Sequence, residues 1–140
     1  MFLQCTVLDD MNDGFKEIDR LDTSAFVDPY STQAIDVSEL YTGDNVLLVC
    51  DVSCGDNNYR SYYKKGKLEI TRDDAFDILS ITDSSITVRA NKYLQAVELE
   101  GDYIFSDNYF TMLGEELKTV FFKPFSEKAN GVSVKSYVLK

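Results

Sequence analysis

Short runs in which apolar and polar residues alternate recur along the whole chain, separated by clusters of Asp, Asn, Gly and Ser. A period of two predicts β-strands with one buried face, and no stretch sustains the 3.6-residue period of a helix. In the first half the runs are Phe2–Leu8, Phe15–Leu21, Ser31–Val37, Val46–Val52 and Tyr59–Lys65. Asp9-Asp10-Met11-Asn12-Asp13-Gly14 reads as the hairpin turn between the first two. Val27-Asp28-Pro29-Tyr30 reads as a turn, since Pro29 cannot sit in a central strand. Val37-Ser38-Glu39-Leu40 predicts one short helical turn before Gly43. In the second half the runs are Leu68–Thr71, Phe76–Ile81, Ser85–Ala90, Tyr93–Leu99, Tyr103–Phe105, Leu117–Lys123 and Val132–Leu139. Ser85–Ala90 alternates cleanly, so one face is core and the other wet. Leu94, Ala96, Val97 and Leu99 break the alternation, which predicts a bulge or a strand covered on both faces.

The polar joint Lys64-Lys65-Gly66-Lys67 divides the pattern into residues 1–66 and 67–140. Seven short strands in the second part are the count of a compact immunoglobulin-like β-sandwich, and the chain as a whole reads as all-β. The composition agrees. Of 140 residues 44% are hydrophobic and 13% aromatic, enough for a packed core, and nine Tyr and nine Phe without Trp or His lean towards β structure. A net charge of −10 argues against nucleic acid and anionic membrane partners, both of which need a basic face. No apolar run approaches the ~20 residues of a membrane-spanning helix. Met1–Leu8 lacks the basic start of a signal peptide and alternates like a strand. The reading is a soluble chain.

Cys5, Cys50 and Cys54 make an odd count, which suits reduced, buried thiols better than a disulfide framework. A Cys50–Cys54 pair is the alternative, opposed by the core-facing look of Cys50. With no Asn-x-Ser/Thr site either, the compartment stays undetermined and leans to the cytoplasm.

Catalytic chemistry is thin. Without His there is no Ser-His-Asp or Cys-His arrangement, and no glycine-rich phosphate loop appears. Glu98/Glu100 and Glu115/Glu116 are neighbouring carboxylates of the kind common on solvated β surfaces, so no catalytic residue is assigned. Asp9–Gly14 and Gly55-Asp56-Asn57-Asn58 lack the ligand alternation of a calcium loop, and three Cys with no His cannot close a four-ligand zinc site without a carboxylate; no metal and no cofactor is expected. The binding candidates are Tyr59, Tyr62 and Tyr63, within Asn58-Tyr59-Arg60-Ser61-Tyr62-Tyr63. Exposed Tyr faces stack on sugar rings, which would make a carbohydrate contact. Alternating aromatics that pack inside and at a domain interface are the other reading, and the favoured one. Tyr103, Phe105, Tyr109, Phe110 and Phe121 are expected to fill the sandwich core.

Phe105-Ser106-Asp107-Asn108-Tyr109-Phe110 places a polar triplet between aromatics, and Leu113-Gly114-Glu115 then leads into Lys118-Thr119-Val120-Phe121-Phe122. Two strands joined by a fixed corner are expected, with Asp107 and Asn108 satisfying backbone groups. This segment resembles a signature of the immunoglobulin-like domain that closes β-mannosidases of glycoside hydrolase family 2. There a Ser-Asp-Asn-aromatic-Phe segment precedes a Leu-Pro-Gly-Glu turn and a Thr-Val strand. Gly114-Glu115 replaces the family's Pro-Gly here, which leaves the turn less pre-set. The resemblance implies that residues 67–140 are the entire terminal domain and residues 1–66 the later strands of the preceding sandwich. Such enzymes release terminal β-linked mannose using two Glu on a barrel. The chain would then be non-catalytic scaffold, and its partners the barrel and preceding sandwich of the same polypeptide. A free-standing carbohydrate- or protein-binding sandwich is the runner-up.

Overall fold

The computed structural model describes residues 1–9, 16–40, 46–64, 69–127 and 129–139; most of the expected 9–14 turn, Gly43 and the joint beyond Lys64 lie outside the described residues. Among these residues all regular structure is β, in twelve strands. The chain divides into two compact units, Met1–Lys67 and Leu68–Lys140.

The first unit is one antiparallel sheet built from β1 (Phe2–Asp9), β2 (Lys16–Ser24), β3 (Val46–Cys54) and β4 (Asn57–Lys64), in the order β2-β1-β3-β4. β3 and β4 meet through the two-residue turn Gly55-Asp56, and Gly55 sits at φ 59°, a left-handed conformation that glycine adopts without steric cost. Leu3, Cys5 and Leu48 are buried on one face, and Ile35, Val37 and Leu40 pack against them.

That contact corrects the strand expected over Ser31–Val37. Residues 31–37 form no strand. Ile35 and Val37 alternate with exposed Asp36 because the segment lies with one side against the apolar face. Alternation reports one-sided burial, and ladder pairing is a separate requirement. The neighbouring turn is Asp28–Ser31, closed by Ser31 N–H to the Asp28 carbonyl at 3.1 Å, with Pro29 inside it as expected. Residues 38–40 form a hydrogen-bonded turn, Leu40 N–H to Val37 carbonyl at 3.0 Å, and not a helical one.

The second unit comprises β5 (Ile70–Arg72), β6 (Phe76–Ile81), β7 (Ser85–Ala90), β8 (Leu94–Glu100), β9 (Tyr103–Phe105), β10 (Phe110–Met112), β11 (Leu117–Pro124) and β12 (Ser133–Leu139). They form two antiparallel sheets, β10-β8-β12-β5 and β6-β7-β11-β9. Ile86, Val88, Val120 and Phe122 from one sheet and Leu94, Val97, Leu99, Met112 and Val138 from the other make a single core, a β-sandwich. Each such side chain contributes on the order of 1.5–3 kcal/mol by leaving water.

Eight strands replace the seven expected, β10 being the addition. Its pairing with β8 shifts between Phe110↔Val97 and Met112↔Leu94, so β8 holds one extra residue there. This bulge is why Leu94, Val97 and Leu99 are buried at unequal spacing. Two aromatics expected in the core are outside it: Phe121 is 61% exposed and Tyr109 66%. Val120 stands opposite Ile86 and Phe122 is buried, so the odd neighbour Phe121 must point outward. The thiols also divide, with Cys5 buried, Cys50 intermediate and Cys54 exposed, against the expectation that all are buried.

Candidate functional site

Ser106 to Tyr109 connect β9, which pairs with β11, to β10, which pairs with β8. The polar triplet is thus a corner that carries the chain from one sheet of the sandwich to the other. Each end is held by a different sheet. Ser106 N–H donates to the Phe121 carbonyl at 2.8 Å, and Ser106 Oγ accepts from Phe121 N–H at 3.0 Å. At the far end Asn108 Oδ1 accepts Leu99 N–H at 2.8 Å while Asn108 Nδ2 donates to the Leu99 carbonyl at 2.9 Å. Extending the Phe110↔Val97 pair by two residues sets Asn108 opposite Leu99. The carboxamide therefore stands in for a peptide group where the backbone has turned away, and β8 keeps its ladder for one more residue.

The rest of the corner is equally constrained. Asp107 Oδ1 accepts Asn108 N–H at 2.8 Å, and Asp107 Oδ2 lies 2.8 Å from Lys118 Nζ. The same ammonium sits 5.2 Å from the centre of the Phe110 ring, within cation–π range. Phe105, at the start of the corner, joins Tyr103 and Phe122 in an aromatic cluster with ring centroids 5.0–6.2 Å apart. Tyr109 takes φ 56° and donates its N–H to Asn108 Oδ1 at 2.9 Å. Tyr103, Phe105 and Phe110 pack against the core; the Tyr109 ring does not.

The carboxylate pairs are tied into surface networks. Lys135 Nζ lies 2.7 Å from Glu100 and holds its carboxyl below the usual range, and Tyr137 Oη donates to Glu98 at 2.9 Å. Glu115 and Glu116 lie in the turn closed by Glu116 N–H to the Leu113 carbonyl at 3.2 Å. Glu115 is at φ 68°, the third position of that turn, where a type II turn calls for glycine. A retaining glycosidase needs one carboxyl kept protonated beside a free nucleophile; Glu100 is driven the other way.

The tyrosines of β4 do not form one patch. Strand parity puts Tyr59 and Tyr63 on one face, 65% and 57% exposed, and the less exposed Tyr62 on the other. The face opposite Tyr59 carries a shallow cleft of about 480 Å³ lined by Phe2, Gln4, Asp51, Ser53, Asn58 and Arg60, which Tyr59 only borders, its row being the one shared with Leu3 and Val52. Cross-strand register builds it: Phe2, Ser53 and Asn58 form one row, Gln4, Asp51 and Arg60 the next. Arg60 Nε donates to Asp51 Oδ1 at 2.6 Å. One aromatic ring beside planar hydrogen-bonding groups is the equipment for a polar, ring-shaped ligand. The sequence reading held Asn58 and Arg60 within its binding segment but missed Phe2, Gln4 and Asp51, because only the register brings them together.

Comparison with curated proteins gives no match. The mannosidase-type Ig-fold domain model matches residues 66–138. That span takes in the two-sheet sandwich and the Ser106–Phe110 corner that ties its sheets together. The chain belongs to the mannosidase-type Ig-fold domain family.

Proposed function

We propose that this chain is a non-catalytic accessory region of a β-mannosidase-like glycoside hydrolase of family 2, lying C-terminal to the catalytic barrel. The observation that carries this reading is the corner of a mannosidase-type Ig-fold domain, whose polar side chains are all spent on backbone and ion pairing. In this reading residues 67–140 are the terminal domain and residues 1–66 are later strands of the preceding sandwich. The outer face of the β6-β7-β11-β9 sheet supports a scaffold role. Leu117, Phe121 and Ile104 are each more than half exposed there, around the hydrogen-bonded pair Thr87–Thr119 at 2.8 Å. Apolar side chains grouped on one face are what a neighbouring domain buries.

Two measurements test the reading. The purified chain is expected to leave aryl β-mannosides intact; turnover lost on mutating Glu98, Glu115 or Glu116 would overturn it. The reading frame in the genome is expected to continue upstream into a barrel-encoding segment, and a frame without one would favour the second reading. That second reading, a free-standing carbohydrate-binding module, has the Phe2–Arg60 cleft in its favour. Chemical-shift changes confined to Phe2, Asp51, Asn58 and Arg60 on titration with manno-oligosaccharides would establish it.

A further inference from the structure

Cys5 on β1 and Cys50 on β3 stand directly opposite each other in the antiparallel register, with Sγ atoms 2.8 Å apart. Both kinds of antiparallel pair place Cα atoms about 4.5 or 5.5 Å apart, inside the 4.4–6.8 Å window that a disulfide spans. A disulfide bond is about 2.05 Å long, so closure asks for a movement of about 0.8 Å and no change of register. The pair lies in the middle of the sheet, and ladder partners on both sides of each cysteine fix its position. Cys54 cannot compete for Cys50. It lies four residues along the same strand, roughly 13 Å away.

We propose that Cys5 and Cys50 are a dithiol site for disulfide exchange, closed into a cross-strand disulfide by small-molecule disulfides. Cys50, the more accessible of the two, reacts first: its sulfur attacks one sulfur of the reagent, forms a mixed disulfide and releases one thiol, which carries the proton Cys50 gave up. Cys5 Sγ then attacks Cys50 Sγ, and the Cys50–reagent bond breaks to release the second thiol with the Cys5 proton. Two protein thiols are oxidised by two electrons, and one small disulfide is reduced to two thiols. Burial, with the neighbouring Cys5, pushes the Cys50 thiol up to about 12, so the attacking sulfur waits as a thiol at neutral pH. Closure is then slow, and its extent is set by the native proximity of the two groups. The bond would join the two central strands of the first unit and leave Cys54 as the thiol that reacts alone.

The test equilibrates the full chain with mixtures of oxidised and reduced glutathione, alkylates free thiols and maps peptides without reduction. A Cys5–Cys50 linked peptide is expected, with Cys54 alkylated or glutathionylated. The Cys54→Ser chain should still lose two hydrogens in intact mass, whereas Cys50→Ser should lose none by an internal bond. The equilibrium constant for closure should be at least tenfold larger in buffer than in concentrated urea, because the sheet and not the chain sequence aligns the pair. Cys5 and Cys50 both remaining alkylatable, a bond through Cys54, or equal closure in buffer and urea would each overturn the proposal.

Discussion

Replacing Asn108 by Ala removes the side chain that substitutes for a strand partner of Leu99. Two hydrogen bonds to the Leu99 peptide are lost, along with the Asn108 Oδ1 contact to Tyr109 N–H. Leu99 is only 3% exposed, so water replaces these partners incompletely. At about 1 kcal/mol net for each bond to Leu99, plus a partial penalty for unsatisfied groups, the cost is about 2–4 kcal/mol. For a domain of this size that is a fall in Tm on the order of 10–20 °C. Asn108→Asp should cost at least as much at neutral pH, because it keeps an acceptor for Leu99 N–H but sets a carboxylate oxygen against the Leu99 carbonyl. Urea unfolding followed by NMR signals of residues 69–139 measures the cost. Amide hydrogen exchange at Leu99 tests its origin, since protection there should drop more than at Val97. An Asn108→Ala chain within about 0.5 kcal/mol of the parent, a typical surface-substitution effect, with Leu99 still protected, would refute the peptide-mimic account.

Three further outcomes are expected. Phe122→Ala should cost about 3–5 kcal/mol in urea unfolding, as for a truncated core aromatic, while the adjacent Phe121→Ala should cost under about 1 kcal/mol; equal effects would contradict the strand parity. Glu115→Gly should raise stability by up to about 1 kcal/mol, relief of a left-handed non-glycine outweighing the extra freedom of the unfolded chain. An unchanged or lower urea midpoint would count against strain in that turn. Cys50 has its folded pKa raised from 9.0 to about 12, so the folded state holds the proton more tightly than the unfolded state. Its contribution is fully present below pH 9 and lost as pH climbs towards 12. The urea midpoint of the first unit should fall across that window, and fall less in Cys50→Ser.

The strands of the second unit were legible because their period survives in the side chains: Ile86, Val88 and Ala90 announce the buried face of β7, and β6, β7 and β9 end where the pattern ends. What failed was information that sequence does not hold locally. Val120-Phe121-Phe122 is apolar throughout, so only its register against Ile86 decides which ring enters the core. The three-residue β10 is too short to show a period and follows directly on the corner. Ser31–Val37 has the right period but lies against a sheet face and forms no strand. The corner itself was readable as a place where Asp107 and Asn108 satisfy backbone groups, yet its partner Leu99 lies nine residues upstream on another strand. The Phe2–Arg60 cleft and the opposed cysteines depend wholly on pairing between distant strands, as Cys5 and Cys50 are 45 residues apart.

The position of β12 has a consequence for synthesis. In its sheet it lies between β8 and β5, so the strand that opens the second unit joins the sheet only through the strand that closes that unit. A nascent chain emerging from the ribosome can close the β6–β7 and β7–β11 pairings early, but Ile70–Arg72 must wait for Tyr137–Leu139. Until β12 emerges, β5 and one edge of β8 have no ladder partner, and the growing chain is most open to misassociation through those edges.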